Sequence, residues 1–440
     1  MSDITFFTTI EELAQRTKTG GLMSQTVPRC HLHYNSPGAS GFGVKRTGLL
    51  LPEAMMLMVS PGCCGRHGTV TGNETGFADR MFYMHMDERD LVTGRHLSRI
   101  AQAAKEICNS VKPYPKAIMI CTSCVDALLG TDLERVCRKA EADCGIPVVP
   151  AYMDPITREG KKPPMASIQQ SLYYCLQPTD EKDRTAVNLL GNFVPLDSDC
   201  ELGELLKQTG IYKINQISAC STFEEYLEMN KAVMNLVLTS LAVPAAQDLE
   251  KRLGTPYRRL EHLYDISGIK VQYKMLAEAL GSKIDDEFYF NRALKATEDF
   301  SSGHKGMKIA VGQTVNGNPF EIAAALIKYG MDVPYIFSHI IREEDRPYIN
   351  YLNELSPRTK VFSSVYPSMI KYAGSMDGAD VTLGLDAGYY FKDAVSIGWS
   401  CSERQPFGYM GLISLLKQIE TGILNPKSHR EQMCGSYLVI

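Results

Sequence analysis

The sequence predicts an α/β protein of three doubly wound, Rossmann-like domains, each built on a parallel sheet. Short apolar segments, several of them rich in β-branched residues, alternate with longer helical patterns over most of the chain. Glycine follows three of the helical patterns, at Gly210, Gly281 and Gly330, a position typical of helix C-termini. Strands that alternate with helices indicate crossover connections, and therefore parallel sheets.

The elements follow in order from this pattern. Apolar runs between turn residues predict strands at 55–60, 117–121, 148–152, 186–190, 214–218, 234–239, 308–311, 333–337, 360–363 and 380–383. Helical patterns lie at 97–108, 132–143, 200–209, 243–253, 269–280 and 320–329. A basic stretch with Pro and Gly at 157–164 and a polar stretch at 177–184 predict a break near 185, and the polar stretch 298–305 predicts a second break near 305. We therefore expect an N-terminal α/β domain at 1–185, a second at 186–305 and a third at 306–440.

Composition excludes several classes of protein. A chain of 440 residues is too long for one ordinary core, and a net charge of −4 gives no reason to expect nucleic acid as a partner. No apolar run reaches the roughly 18 residues of a membrane span, and the N-terminus lacks a signal pattern. We therefore expect a cytoplasmic protein without a membrane partner. Its 13 cysteines are then expected to be thiols or metal ligands rather than disulfides.

No phosphate-binding loop is recognisable. The chain has no Gly-x-x-x-x-Gly-Lys-Ser/Thr segment and no Gly-x-Gly-x-x-Gly at the head of a strand–helix unit. Its glycine-rich stretch at 38–43 lacks a strand before it and a helix after it, so a dinucleotide interpretation is weak. We expect the chain to hydrolyse no nucleotide itself.

Two cysteines carry the strongest functional signal. Cys64 and Cys124 each follow a predicted buried strand and occupy the turn into the next helix. Ligands and metals collect at the strand ends of parallel sheets. Two soft thiolates at such ends suit an iron–sulfur cluster better than a hard cation.

The order of the motifs resembles a known family. Ser60-Pro-Gly-Cys-Cys64 is followed by the acidic stretch 86–94 and by Thr122-Ser-Cys124 with Leu129-Gly-Thr-Asp-Leu133. Segments at 187–192, 231–236, 308–312 and 406–411 continue the likeness downstream. Together they resemble the nitrogenase component 1 (molybdenum-iron protein) superfamily over most of the chain.

The resemblance implies an oxidoreductase, namely a subunit of a nitrogenase-like, ATP-dependent reductase. A separate ATP-hydrolysing iron–sulfur protein would deliver electrons, docking near 87–94 and 129–133. A 4Fe-4S or larger P-cluster-like cluster, at the interface with a homologous subunit of a homo- or hetero-oligomer, would relay them. The substrate would be a thioether, a tetrapyrrole or another small molecule. Whether the assembly also holds a second, complex iron–sulfur cofactor stays open.

Two alternatives stay open. One is a scaffold for assembly of a nitrogenase-type iron–sulfur cofactor, which would share the fold and the interface cluster. The other is a small-molecule binding module whose thiols are incidental.

The resemblance also implies a ligand set, all of it in the predicted N-terminal domain. Cys64 and Cys124 match two ligand positions, and the third falls near Asn35 or Ser36, where Cys30 is the nearest thiol. Cys63 and Cys121 are further candidates. Their structural alternatives are a small residue in a tight turn and a buried apolar residue that ends a strand.

Two departures limit the activity that the resemblance implies. Thr239 falls where the family's cofactor-ligating cysteine would lie. The segment 398–404 falls at the family's histidine ligand and holds no histidine, although Cys401 lies within it. Reduction of dinitrogen on a cofactor of this chain is therefore not expected.

Overall fold

The fold is an alternation of strands and helices in a computed structural model, which describes residues 7–18, 32–37, 47–62, 64, 77–152, 162–399, 405–427, 429 and 431–432. Within these residues the strands are β1 (Phe7–Thr9), β2 (Ala54–Ser60), β3 (Met81–His85), β4 (Ala117–Thr122), β5 (Val148–Tyr152), β6 (Asp183–Leu190), β7 (Lys213–Gln216), β8 (Ala232–Val237), β9 (Tyr257–Arg259), β10 (Lys308–Val311), β11 (Asp332–Phe337), β12 (Lys360–Phe362), β13 (Val381–Leu383) and β14 (Val395–Ile397). The α-helices are α1 (Ile10–Lys18), α2 (Glu88–Thr93), α3 (His96–Ser110), α4 (Cys124–Leu129), α5 (Leu133–Cys144), α6 (Pro164–Ser171), α7 (Leu202–Lys207), α8 (Phe223–Leu227), α9 (Val243–Leu253), α10 (Ile266–Ala279), α11 (Glu287–His304), α12 (Pro319–Lys328), α13 (Arg346–Leu355), α14 (Leu385–Tyr390) and α15 (Gly408–Leu424).

Local sequence explains where many helices begin and end. Asp87, Asp132, Thr222 and Asn318 accept backbone N–H bonds at the starts of α2, α5, α8 and α12, as short polar side chains do at N-caps. The three glycines expected to end helical patterns all adopt positive φ, with Gly281 at 64°. Because L side chains rarely adopt such angles, glycine is favoured at these positions.

The first sheet is parallel throughout and has the order β3-β2-β4-β5. Side chains alternate across it along β4. Met119 and Cys121 pack into the core shared with the second sheet, whereas Ile118 and Ile120 pack against helices α3 and α5. A central strand that is buried on both faces must be apolar at nearly every position, which is why its run stands out in the sequence.

The second sheet is also parallel, with the order β7-β6-β8-β9. Buried amides cross its centre: Asn188 donates to Asn235 Oδ1 at 2.9 Å and accepts from Asn215 Nδ2 at 3.0 Å. Its apolar side chains, among them Leu190 and Val237, form one core with those of the first sheet.

The third sheet has the order β1-β12-β11-β10-β13-β14 and is parallel except at its edge. The N-terminal strand β1 pairs antiparallel with β12, with Thr8 opposite Val361. The order reverses at β10, which lies between β11 and β13. Asp386, in the first turn of α14, joins that helix to the loop after β10 by accepting from the amides of Gln313 (2.7 Å) and Thr314 (3.1 Å).

The described chain divides into two compact units. One holds the first two sheets, in 41–195 and 210–260, and its continuous core accounts for that grouping. The other holds the third sheet, with the described parts of 1–40, 196–209 and 261–438. The division into three domains at 185 and 305 stays a prediction. The α/β class with three sheets dominated by parallel pairing is confirmed. No helix among the described residues is long and apolar enough to span a membrane.

Candidate functional site

The two predicted thiolate ligands lie at the ends of neighbouring strands. β2 and β4 are parallel partners, and their register runs from Ala54 opposite Ala117 to Val59 opposite Thr122. The strands therefore end side by side, with Cys64 in the turn after β2 and Cys124 as the first residue of α4. Both thiols are half-buried and neither is in a disulfide. The structure thus brings both cysteines to one edge of one sheet, which we call the cysteine edge.

The third strand at this edge supports the turn after β2. The Tyr83 hydroxyl donates to the carbonyl of Ser60 at 2.9 Å and lies 3.2 Å from Nδ1 of His85. Because a hydroxyl carries one proton, it accepts in the second contact and His85 Nδ1 donates. A Cβ built on Gly62 would lie 3.7 Å from the His85 ring, so the imidazole flanks the Pro61–Gly62 turn.

A buried polar network lies beneath α4. Asp126, in the first turn of that helix, is 2% exposed. Its Oδ1 lies 3.2 Å from His96 Nε2 and accepts from the Thr131 hydroxyl at 3.1 Å. His96 Nδ1 lies 3.1 Å from the backbone carbonyl of Asp90, which can only accept, so Nδ1 carries a hydrogen. Burial raises the pKa of the Asp126 carboxyl. A hydrogen bond at 3.2 Å between Asp126 Oδ1 and His96 Nε2 requires one proton between these two atoms.

The network continues into α2 through Asp90. This fully buried carboxylate accepts from Arg95 Nε at 2.8 Å and from Arg99, and its amide donates to Asp87 at 2.8 Å. The hydrogen bond from Arg95 is the largest cause of the lowered pKa of Asp90. Helices α2, α3 and α4 are thereby joined by charge-assisted and buried hydrogen bonds. The acidic stretch 87–94 is thus tied to the helix that carries Cys124.

The other candidate ligands have different placements. Cys30 and Cys63 lie outside the described residues. Cys121 is fully buried in the core between the first two sheets, and its role as a ligand stays a prediction. Burial raises the pKa of the Cys137 and Cys175 thiols to about 12, as for packed, unreactive cysteines. Among the described residues, no group of three or more His, Cys, Asp or Glu side chains is placed to hold a metal ion.

The chemistry of the cysteine edge nevertheless fits an iron–sulfur cluster. Two soft donors lie at adjoining strand ends. Beside them, the hydroxyls of Ser60 and Ser123 are buried and find no hydrogen-bond partner in the described part of the chain. Buried hydroxyls without acceptors indicate a missing acceptor, and the sulfur atoms of a cluster are acceptors of this kind.

Sequence reasoning missed the residues around these ligands. The sequence shows that Ser60 and Ser123 precede cysteine turns, but only the strand register shows that they are neighbours. His96 and Asp126 are 30 positions apart, and no local pattern predicts their contact.

Comparison with known proteins gives a family for this chain. The model of the nitrogenase component 1 type oxidoreductase family matches residues 40–424. The chain belongs to this family. It is 26% identical over 440 residues to the nitrogenase iron-molybdenum cofactor biosynthesis protein NifE of Klebsiella pneumoniae, covering 89% of this chain and 91% of that one. It is 22% identical over 358 residues to the nitrogenase molybdenum-iron protein alpha chain of Methanococcus maripaludis, covering 78% and 73%.

Solved structures of nitrogenase share the fold. Nitrogenase Cp1 at pH 6.5 matches with a TM-score of 0.73 over 91% of this chain and 95% of that chain, at 19% sequence identity. The nitrogenase component 1-like fold expected from the motif order is therefore confirmed, as is the family resemblance.

In this family member, Thr239 has a structural role. Its hydroxyl accepts from the amide of Leu241 at 3.4 Å, capping the turn before α9. Its methyl group lies against Gly191, where an added Cβ would come within 2.5 Å of it. Gly191 has a φ of 96°, which favours glycine there independently.

Segment 398–404, which lacks the histidine ligand of the family, begins within a cluster of polar contacts. The Trp399 indole donates to the Tyr264 hydroxyl at 3.0 Å, and the Trp399 carbonyl accepts from Asn316 N at 3.0 Å. The residue that resumes the described chain, Gln405, donates to Asn316 Oδ1 at 2.8 Å. Cys401 lies outside the described residues.

Proposed function

We propose that this chain is a subunit of a nitrogenase-like reductase in which Cys64 and Cys124 hold an iron–sulfur cluster. One observation carries the proposal: the register of β2 and β4 brings both thiols to the same sheet edge in a member of this family. The cluster supplies one-electron storage and transfer. The protein supplies thiolate ligation and a partly buried edge, which together influence the potential of such a group.

The remaining ligands come from outside this pair. A cubane cluster usually has four cysteine ligands. We assign the missing ones to Cys30 or Cys63 of this chain and to a homologous partner subunit. In this arrangement the cluster lies at a subunit interface, and assembly and cluster binding depend on each other.

A separate ATP-hydrolysing iron–sulfur protein would dock on a face formed by α2, α4 and the start of α5. Three apolar side chains there are strongly exposed: Val92 at 88%, Leu128 at 67% and Leu129 at 54%. Exposed charges, among them Glu88 and Asp132, accompany them. Apolar side chains within a charged surface are typical of transient protein interfaces.

The residues beneath this face position the ligand helix. The Asp126–His96 contact and the two arginine bonds to Asp90 fix α4 relative to α2 and α3. A protein docked on α2 therefore rests on the same rigid network that positions Cys124. A fixed spacing between the docking face and Cys124 suits electron delivery.

The decisive experiment measures metal and turnover together. The chain should be purified without oxygen, assayed for iron and sulfide, and examined by electron paramagnetic resonance. Reduction of thioether and tetrapyrrole substrates should then be measured with an ATPase iron–sulfur reductase, with and without ATP. We expect bound iron and strictly ATP-dependent turnover. Iron-free, colourless protein would refute the proposal, as would turnover with ATP absent and only a weak chemical donor present.

The second candidate is a scaffold that holds a precursor of an iron–sulfur cofactor and passes it on. Similarity to relatives that are named as cofactor biosynthesis proteins favours it. Thr239, which caps a turn where the family has a cofactor-ligating cysteine, supplies no thiolate for permanent binding of a cofactor. A scaffold would bind additional iron during assembly and release it to an acceptor protein without turning over a small substrate. A reductase would keep its iron through many turnovers.

A further inference from the structure

Two serine hydroxyls at the cysteine edge have no hydrogen-bond partner in the described part of the chain. Ser60, the last residue of β2, is 0% exposed, and Ser123, which precedes Cys124, is 2% exposed. Neither Oγ atom contacts an acceptor or a donor there. Ser123 also makes no side-chain cap to α4, the usual role of a serine at that position.

The strand register makes these two serines neighbours. Val59 pairs with Thr122, so the next step along the parallel pair places Ser60 beside Ser123. Ser123 has extended dihedrals, φ −87° and ψ 175°, so the alternation of side chains continues to it. Both serines then share a face with Met56 and Cys121, and each stands at the end of the strand that leads to a predicted thiolate ligand.

Burial without a partner is unfavourable for a hydroxyl. Most buried polar side chains in proteins have at least one hydrogen-bond partner, and exceptions need an explanation. Here two exceptions are adjacent, and both are at the strand ends that carry Cys64 and Cys124. One shared acceptor at the cysteine edge accounts for both.

We infer that the hydroxyls of Ser60 and Ser123 donate hydrogen bonds to sulfur atoms of the group held by Cys64 and Cys124. This inference rests on the proposed function. Hydrogen bonds to cluster sulfurs favour the more negatively charged, reduced state, so the two hydroxyls raise the reduction potential of the cluster. They act as positioning and tuning residues, since neither is required as a ligand.

The test is the midpoint potential of the purified, iron-loaded protein in anaerobic redox titration. Ser60→Ala and Ser123→Ala should each keep the wild-type iron content and shift the midpoint to more negative values, and the double variant should shift it further. Ser123→Thr, which keeps a hydroxyl at this position, should have a midpoint closer to that of wild type than Ser123→Ala has. Ser364→Ala is the matched control, because Ser364 is 0% exposed and has an unpartnered hydroxyl after β12, in a different sheet. It should leave the midpoint unchanged.

The outcomes distinguish failure of the proposed function from failure of this inference alone. Wild-type protein without iron would overturn the proposed function and this inference with it. Iron-loaded alanine variants with wild-type midpoints would overturn the inference alone, as would an equal shift in Ser364→Ala. If Ser60→Ala or Ser123→Ala loses its iron, threonine at the same position decides: retained iron supports the inference and lost iron overturns it.

The protein without metal provides a second readout. An unpartnered buried hydroxyl destabilises the fold, so Ser60→Ala and Ser123→Ala should unfold at a higher temperature than wild type when iron is removed. A lower unfolding temperature would show that the hydroxyls already have partners in the chain, and the inference would fail.

Discussion

The imidazole of His96 lies 3.2 Å from the carboxyl of Asp126, and both side chains are 2% exposed. The contact joins the start of α3 to the helix that Cys124 begins. Removing Asp126 would leave His96 Nε2 and the Thr131 hydroxyl without this hydrogen-bond partner in a buried site.

We therefore expect Asp126→Ala to lower the free energy of unfolding by about 1 to 3 kcal/mol. Asp126→Asn keeps a side chain that can donate and accept hydrogen bonds at this position and should lower the free energy of unfolding less. Urea denaturation of the metal-free protein measures both. Asp143→Ala, at an exposed position near the end of α5, is the control and should change stability by less than about 0.5 kcal/mol. Equal effects of the three substitutions would show that the network carries no stability.

The thiol substitutions test the ligand pair directly. Cys64→Ala or Cys124→Ala should lower bound iron by more than about half, because thiolates are the usual cluster ligands. Cys137→Ala is the matched control, since that thiol is buried on α5 and burial raises its pKa to about 12. It should keep full iron. Iron and sulfide analysis of anaerobic preparations measures all three, and full iron in both edge variants would rule out this ligand pair.

Sequence patterns were most informative where burial is complete. The run at 117–121 is apolar at every position because β4 is buried on both faces, and it appears as β4. The short strands β1, β3, β9 and β14 escaped prediction; the edge strands β3 and β9 include polar and exposed positions such as His85 and Arg259. A strand with exposed polar positions on one face has no continuous apolar run, whereas the buried edge strand β5 keeps one and was predicted.

The site was only partly predictable for a related reason. Cys64 and Cys124 could be inferred because each follows a central strand with a continuous apolar run. The neighbours Ser60 and Ser123 depend on which strands pair and in which register, and that is a property of tertiary structure. The same holds for Asp126 and His96, whose contact spans two helices.

Assembly should depend on the cluster. Because Cys64 and Cys124 supply two of the usual four ligands, we expect the iron-loaded protein to form a dimer or a dimer of dimers, with itself or with a homologous subunit. Anaerobic sedimentation at micromolar concentration measures this. Removing iron with a chelator should shift the distribution towards smaller species. A monomer that keeps its full cluster would contradict an interface site.

Glu321 should make stability depend on pH. Burial raises the pKa of this carboxyl to about 8, although it accepts from the amides of Tyr264 (2.9 Å) and Asp265 (2.8 Å). Its ordinary value of 4.5 applies in the unfolded chain, so between about pH 4.5 and 8 the folded state holds a proton that the unfolded state has released. The stability from this group is present in full below about pH 4.5 and is lost as the pH rises through 8.

We expect the free energy of unfolding to fall by up to about 1.4 kcal/mol per pH unit over that range from this group alone. Glu321→Gln keeps an acceptor for both amides but cannot ionise, so the decline should be smaller in the variant. Thermal or urea unfolding from pH 5 to pH 9 compares the two proteins. Identical pH profiles would mean that Glu321 is ionised throughout.

Charge on the docking face should control the encounter with the reductase. Glu88 is exposed in the first turn of α2, so Glu88→Lys should weaken docking without disturbing the fold. At Asp132 the substitution must preserve the helix cap, because this side chain accepts from the amide of Arg135 at 2.9 Å at the start of α5. Asp132→Asn removes the charge and keeps a capping side chain.

Both variants should reduce substrate turnover by roughly twofold to tenfold at low salt, and less at high salt, where exposed charges are screened. Their iron content should equal that of wild type. Glu106→Lys, an exposed reversal near the far end of α3, is the control and should leave turnover unchanged. Equal losses in all three variants would point to net charge rather than a docking face. Losses that persist at high salt would indicate damage to the network around Asp90 instead of a weakened encounter.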